Sequence, residues 1–179
     1  IYIDESSYVS DKVNIGKNVK VGKNCVINEN TIIGDNVSIG DNCIIGSEGL
    51  NIFRGENNNN LFNKSIGGVL IEKGVRVDNF VNISKGTGGR VTKIGSNTMI
   101  GCFVSIGHDA NISSNSIIVD GTKLSGHVFI GENVYLGINT TVLQNIEIEK
   151  NSKTGIGTVV TRNIKENSFV IGNPGRNIS

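Results

Sequence analysis

Large aliphatic residues return at every sixth position along this chain. Ile3, Val9, Ile15, Val21, Ile27, Ile33, Ile39 and Ile45 form one run. Ile94, Ile100, Ile106, Ile112, Ile118, Leu124, Ile130, Leu136, Val142 and Ile148 form a second, and Ile71, Val77 and Ile83 bridge the two. Four residues after most of them stands a small or β-branched residue, among them Val19, Cys25, Thr98, Ala110 and Ser116. A helix repeats at 3.6 residues and an amphipathic strand at 2, so neither produces a period of six. One short strand plus one corner does. Three such units close a triangular coil, and coils stacked at about 4.8 Å let parallel strands hydrogen-bond along the axis. The pattern therefore predicts an all-β fold, a parallel β-helix with the large aliphatics filling the prism. Glycine often follows the aliphatic, as at Gly16, Gly101 and Gly131, and asparagine comes shortly after, as at Asn18, Asn97 and Asn133. Asparagine tolerates the left-handed backbone conformation that a tight corner demands.

Two stretches break the pattern. Residues 47–68 have no six-residue phase and include four consecutive asparagines. They are expected to protrude as a loop with a mobile Asn-rich tip, held down by Leu50, Phe53, Leu61 or Phe62. From Ile83 to Ile94 the interval is 11 rather than 12, which reads as a one-residue deletion at a corner. The β-helix is expected over residues 1–160, with residues 161–179 as a C-terminal cap that blunts the last strand edge.

Composition narrows the function classes. Lys and Arg number 17 against 16 Asp and Glu, so charge points neither to nucleic acid nor to an anionic membrane. No apolar run approaches the roughly 20 residues of a membrane span. The opening residues lack a basic-then-apolar signal pattern. Three cysteines suit a reducing cytoplasm better than a disulfide framework. Cys25 and Cys43, both at the small inward position, read as core filler. With two histidines in the chain, a three-histidine zinc site is ruled out, and no metal is expected.

Three units per coil place residues 18 apart above one another. The segment "SIGHDANIS" puts His108 two residues after an inward aliphatic, outward near a corner. Above it in the stack come Gly126 and then Gln144. An imidazole under a position without a side chain leaves room for a reacting carbonyl and a backbone N–H close by, the needs of acyl transfer. Asp109 is a candidate to orient the second ring nitrogen. On spacing alone, a solvated corner residue explains His108 equally well. His127, in the next coil, reads as surface decoration more readily than as a ligand contact.

The segments "SIGHDANISSNSIIVDGTKLSGHVFIGENVYLGINTTVLQNIEI", "GIGTVVTRNI" and "VIGNPGR" resemble the hexapeptide-repeat sugar acyltransferases. One branch is the acetyl-CoA-dependent amino-sugar N-acetyltransferases of the sialic-acid and bacillosamine type. The other, which "IIGSEGLNIF" and "IGGVLIEKGVRVDNFVNISKG" resemble, is the lipid A acylglucosamine N-acyltransferases, which use a hydroxyacyl chain on acyl carrier protein. The resemblance implies a left-handed helix, a cytoplasmic homotrimer with grooves between prisms, His108 as general base and Gly126 N–H as donor to the thioester carbonyl. It also places the pantetheine arm along the coils. Small residues let a ligand approach the backbone, so the arm is expected to run past Gly126 towards Gly137, Ile138, Gly155, Ile156 and Gly157, with phosphates near Lys153, Arg162 or Arg176. The sequence departs from both branches: Ile117 stands where the first often has a second histidine, and no histidine lies near Asn145 as in the second. The favoured reading is transfer of an acetyl group from CoA to the amine of a nucleotide-linked amino sugar. A hydroxyacyl carrier-protein enzyme and a sugar O-acetyltransferase are the alternatives.

Overall fold

A computed structural model describes residues 1–179 as a prism with three faces of short parallel strands. The first face begins at Tyr2–Ile3 and runs through Met99–Ile100, Ile117–Ile118, Tyr135–Leu136 and Lys153–Thr154 to Phe169–Ile171. The second face has eight strands, from Tyr8–Val9 to Val159–Val160, and the third has seven, from Asn14–Ile15 to Glu147–Ile148. The eight-stranded face sets the length at about eight coils. Register advances by one coil of 18 residues, pairing Ile100 with Ile118 and Ile118 with Leu136. Within the expected cap, Phe169–Ile171 adds one more parallel strand, and Arg176–Asn177 folds back on it antiparallel.

The core is one cluster of 33 buried residues. Every large aliphatic from Ile94 to Ile148 in the second run is buried, and so are the residues four positions on, Thr98 to Ile146. Hydroxyls at those positions stay satisfied because the corner backbone passes within reach. Ser116 Oγ donates to the Gly131 carbonyl at 2.9 Å and accepts the Val134 N–H at 3.2 Å. Deleting a buried aliphatic side chain leaves a cavity inside a stack that cannot collapse. Ile112→Ala is therefore expected to cost about 2–5 kcal/mol in urea unfolding, against under about 0.5 kcal/mol for exposed Lys123→Ala.

Corners explain the asparagines. The third residue after the inward aliphatic takes positive φ, at Asn18, Asn36, Asn97, Asn115, Asn133 and others. Just before it, at corners with Asp or Asn above, the N–H of the second residue is capped from the coil above. Lys17 donates to Asp35 Oδ1 at 2.6 Å, Lys23 to Asp41 Oδ1 at 2.7 Å, and Cys102 to Asp120 Oδ1 at 2.9 Å.

Both interruptions occur at one corner, between the second and third faces. The step from Ile45 to Ile71 carries the protruding arm, in which Ile52–Arg54 pairs antiparallel with Asn60–Phe62. The step from Ile83 to Ile94 crosses the same corner one coil later. It is a five-residue insertion in a step of six, not a one-residue deletion in a double step. The expected apolar anchors are also corrected: Leu50, Phe53, Leu61 and Phe62 all face outward, Leu50 with 80% of its surface exposed. An arm that leaves the prism has no second layer to bury them against. It is held at its base instead.

Candidate functional site

His108 lies on the corner that carries both insertions. Its ring is held between two positions that have no side chain. A Cβ on Gly126, in the coil above, would come within 2.7 Å of His108 Cε1 and Nε2. A Cβ on Gly49, at the base of the arm, would come within 2.9 Å of His108 Cδ2. Gly126 does not take positive φ, so glycine is required there for space and not for backbone conformation.

Asp109 occupies the positive-φ corner position that asparagine fills elsewhere. Its side chain turns inward, with 3% of its surface exposed, and its Oδ2 lies 2.8 Å from His108 Nδ1. Thr87, from the five-residue insertion, donates its N–H to Asp109 Oδ1 at 3.0 Å and its hydroxyl to Oδ2 at 2.6 Å. Burial alone would raise the Asp109 pKa. The Thr87 hydroxyl, His108, the Thr87 N–H and the nearby His127 outweigh it and hold the carboxyl below its ordinary value. An ionised carboxylate only accepts hydrogen bonds. His108 Nδ1 therefore carries the proton, and Nε2 presents a lone pair on the side of Gly126.

The backbone completes the arrangement. Where Asp or Asn stands above the second residue, as over Lys17, Lys23, Asp41 and Cys102, it caps that N–H; above Gly126 stands Gln144, and the Gly126 N–H has no hydrogen-bond acceptor. A base and a free donor thus share one small space. The arm is secured against them by Lys85 Nζ, which lies 2.6 Å from Glu48 Oε1 with 11% of its side chain exposed. Glu48 Oε2 accepts the Ser65 N–H at 3.0 Å. Burial opposes ionisation of Glu48, but Lys85 and Ser65 outweigh it and lower its pKa.

Sequence reasoning brought His108, Asp109 and Gly126 together; the structure adds Gly49, Thr87, Glu48 and Lys85. Counting the 11-residue interval as a six-residue step plus five puts this insertion on the corner of His108, although it does not place Thr87 itself against Asp109. His127 is not isolated: its Nε2 lies 3.5 Å from Asp109 Oδ2, and its ring meets His108 edge-on with centroids 5.1 Å apart. Gly137, Ile138, Gly155 and Ile156 line a groove of about 290 Å³ with Tyr135, Lys153, Thr154 and Phe169. That groove follows the edge between the first and second faces, so within one chain it is separated from Gly126 by the second face. Gly157 is at the same edge with φ +65°. Arg162 instead continues the His108, Gly126, Gln144 stack, and with Arg176 it lines a second hollow of about 410 Å³ near the tail. Cys25 and Cys43 are buried free thiols, as the sequence implied.

Residues 3–47 match the bacterial transferase hexapeptide model of six repeats, and residues 127–162 match the hexapeptide repeat of succinyl-transferase. Both stretches thus carry the six-residue repeat of hexapeptide transferases. A Nautilia profundicola acyl-[acyl-carrier-protein]–UDP-N-acetylglucosamine O-acyltransferase is 35% identical over 82 residues, which are 45% of this chain and 32% of that protein. The bifunctional protein GlmU of Streptococcus uberis is 34% identical over 107 residues, 59% of this chain and 23% of that one. The hexapeptide-repeat chain therefore spans about a quarter to a third of the length of these curated relatives. Among solved structures, a UDP-N-acetylglucosamine acyltransferase from Campylobacter jejuni superposes with a TM-score of 0.88 at 26% identity, covering 97% of this chain and 66% of that one. The coil is left-handed, as the resemblance implied. No helix is long and apolar enough to cross a membrane.

Proposed function

We propose that this protein transfers an acyl group from a thioester to a nucleotide-linked amino sugar, with His108 as general base. The observation that carries the reading is the His108 ring, oriented by Asp109 and lying against a glycine whose N–H is free. The sugar nucleophile attacks the thioester carbonyl while His108 Nε2 removes its proton. The Gly126 N–H donates to the oxyanion of the tetrahedral intermediate. Collapse expels the thiolate, which takes the proton back from His108. Asp109 keeps the imidazole in the useful tautomer throughout and stabilises its charged form.

Both acetyl-CoA and an acyl carrier protein thioester fit this scheme as donors. Sequence resemblance favours acetyl-CoA, whereas the relatives named for acyl-carrier-protein chemistry add weight to the carrier-protein donor and to a UDP-linked N-acetylglucosamine-type acceptor. Nucleotide sugars and thioesters of this kind also suit the expected cytoplasmic location. A homotrimer is part of the proposal, because the groove at Gly137, Ile138, Gly155, Ile156 and Gly157 lies on a different edge from Gly126. A neighbouring prism would bring the two edges to one cleft, with phosphates near Lys153, Arg162 or Arg176. Light scattering is expected to give a trimer, and a monomer would contradict the shared cleft. Calorimetry with acetyl-CoA and with an acyl carrier protein thioester separates the donors: the true one binds, and binding of neither contradicts the reading.

A further inference from the structure

We propose that the Asp109 carboxylate, with the two imidazoles converging on it, forms a binding site for a borderline-soft divalent cation, Zn²⁺ above all, which shuts the site down. Each of His108, Asp109 and His127 offers a ligand atom, and the three lie within 4.8 Å of one another. Asp109 Oδ2 is 2.8 Å from His108 Nδ1 and 3.5 Å from His127 Nε2. Zinc bonds of 2.0–2.1 Å in a tetrahedron hold ligand atoms about 3.3 Å apart. Asp109 Oδ2 already stands within about half an ångström of that separation from each imidazole, and the exposed His127 ring closes the remaining gap of up to about 1.5 Å between the two imidazole nitrogens. Two imidazoles and one carboxylate fill three positions and leave the fourth for water, as in open zinc sites. The outer support is already present: Thr87 fixes both oxygens of Asp109 through its N–H and its hydroxyl. His127 keeps 39% of its side chain exposed, which gives the ion a way in.

The consequence follows from the two ring nitrogens. The ion takes the Nδ1 lone pair of His108, so the ring proton moves from Nδ1 to Nε2. Nε2 then has no lone pair to accept the proton of a nucleophile. Metal binding is thus a tautomer lock on the base. The inhibitory consequence rests on the proposed role of His108, whereas the binding itself does not.

The test measures binding without substrate. Purified wild-type protein is titrated with Zn²⁺ against a chromophoric chelator, alongside His127→Ala, His127→Gln, Thr87→Val and Cys102→Ser, all checked for unchanged melting. The wild type is expected to take one Zn²⁺ per chain. Both His127 variants should lose at least about tenfold in affinity, and Thr87→Val about tenfold, the usual effect of an outer-shell partner. Cys102→Ser should bind as the wild type does. Imidazole ¹⁵N spectra should show the ring proton on Nε2 of His108 in the zinc form. Equal affinity in the His127 variants overturns the site, and so does loss of binding in Cys102→Ser. If zinc binds as described but thioester turnover is absent altogether, the binding site stands and the acyltransfer reading fails.

Discussion

Replacing His108 with alanine should lower the turnover of thioester and sugar by about 10²–10⁴-fold, the usual contribution of a positioned general base. The side chain removed is a partly exposed corner residue whose one side-chain hydrogen bond goes to Asp109. The prism core is untouched, so melting should change little. The loss should appear in kcat, since the imidazole acts on the nucleophile as bond formation begins. His127→Ala should reduce the rate far less, because His127 makes no hydrogen bond to His108 and reaches the site through a 3.5 Å approach to Asp109 and an edge-on ring contact. A His108→Ala enzyme turning over at the wild-type rate with the true acceptor would move the base elsewhere.

Gly126→Leu should be at least as severe, by a different route. The first carbon of the new side chain already falls 2.7 Å from His108 Nε2 and Cε1. His108 cannot retreat the other way, because Gly49 and the arm close its opposite side. The ring must therefore swing out and give up its bond to Asp109. The rest of the leucine fills the space assigned to the thioester carbonyl. Acetyl-CoA binding should be lost together with turnover, as a calorimetric titration would record. Gly126 has ordinary backbone angles, so the variant should still fold. Normal donor affinity in folded Gly126→Leu would refute the placement of the thioester.

The fold was legible because a six-residue period has one simple structural solution, and Ile94 to Ile148 hold it without a break. The same arithmetic placed His108 beneath Gly126, since an 18-residue coil is a rigid ruler. It failed where the chain leaves the ruler. The interval from Ile83 to Ile94 has two decompositions, and only pairing partners show that Ile94 follows Ile83 directly around the prism. Thr87, Lys85 and Gly49 were invisible for that reason: each belongs to an insertion whose path no period dictates. The apolar arm residues misled in a related way. Leu50, Phe53 and Phe62 suggest anchors by composition, yet the arm is secured by the Lys85–Glu48 ion pair and the Ser65 N–H. The free N–H of Gly126 lies between these cases. Sequence shows Gln144 above it, but the meaning emerges only when Lys17, Lys23 and Cys102 are seen capped by Asp in their own stacks.

A thioester should be consumed here only when a sugar nucleophile is present to be deprotonated by His108. Thiol release from acetyl-CoA and from an acyl carrier protein thioester, followed with and without a panel of nucleotide-linked amino sugars, tests it most directly. Thiol should be released from one donor only, dependent on one class of sugar, with the acylated sugar formed in equal amount. Release at the same rate without any sugar, or no release from either donor with every sugar, would contradict it.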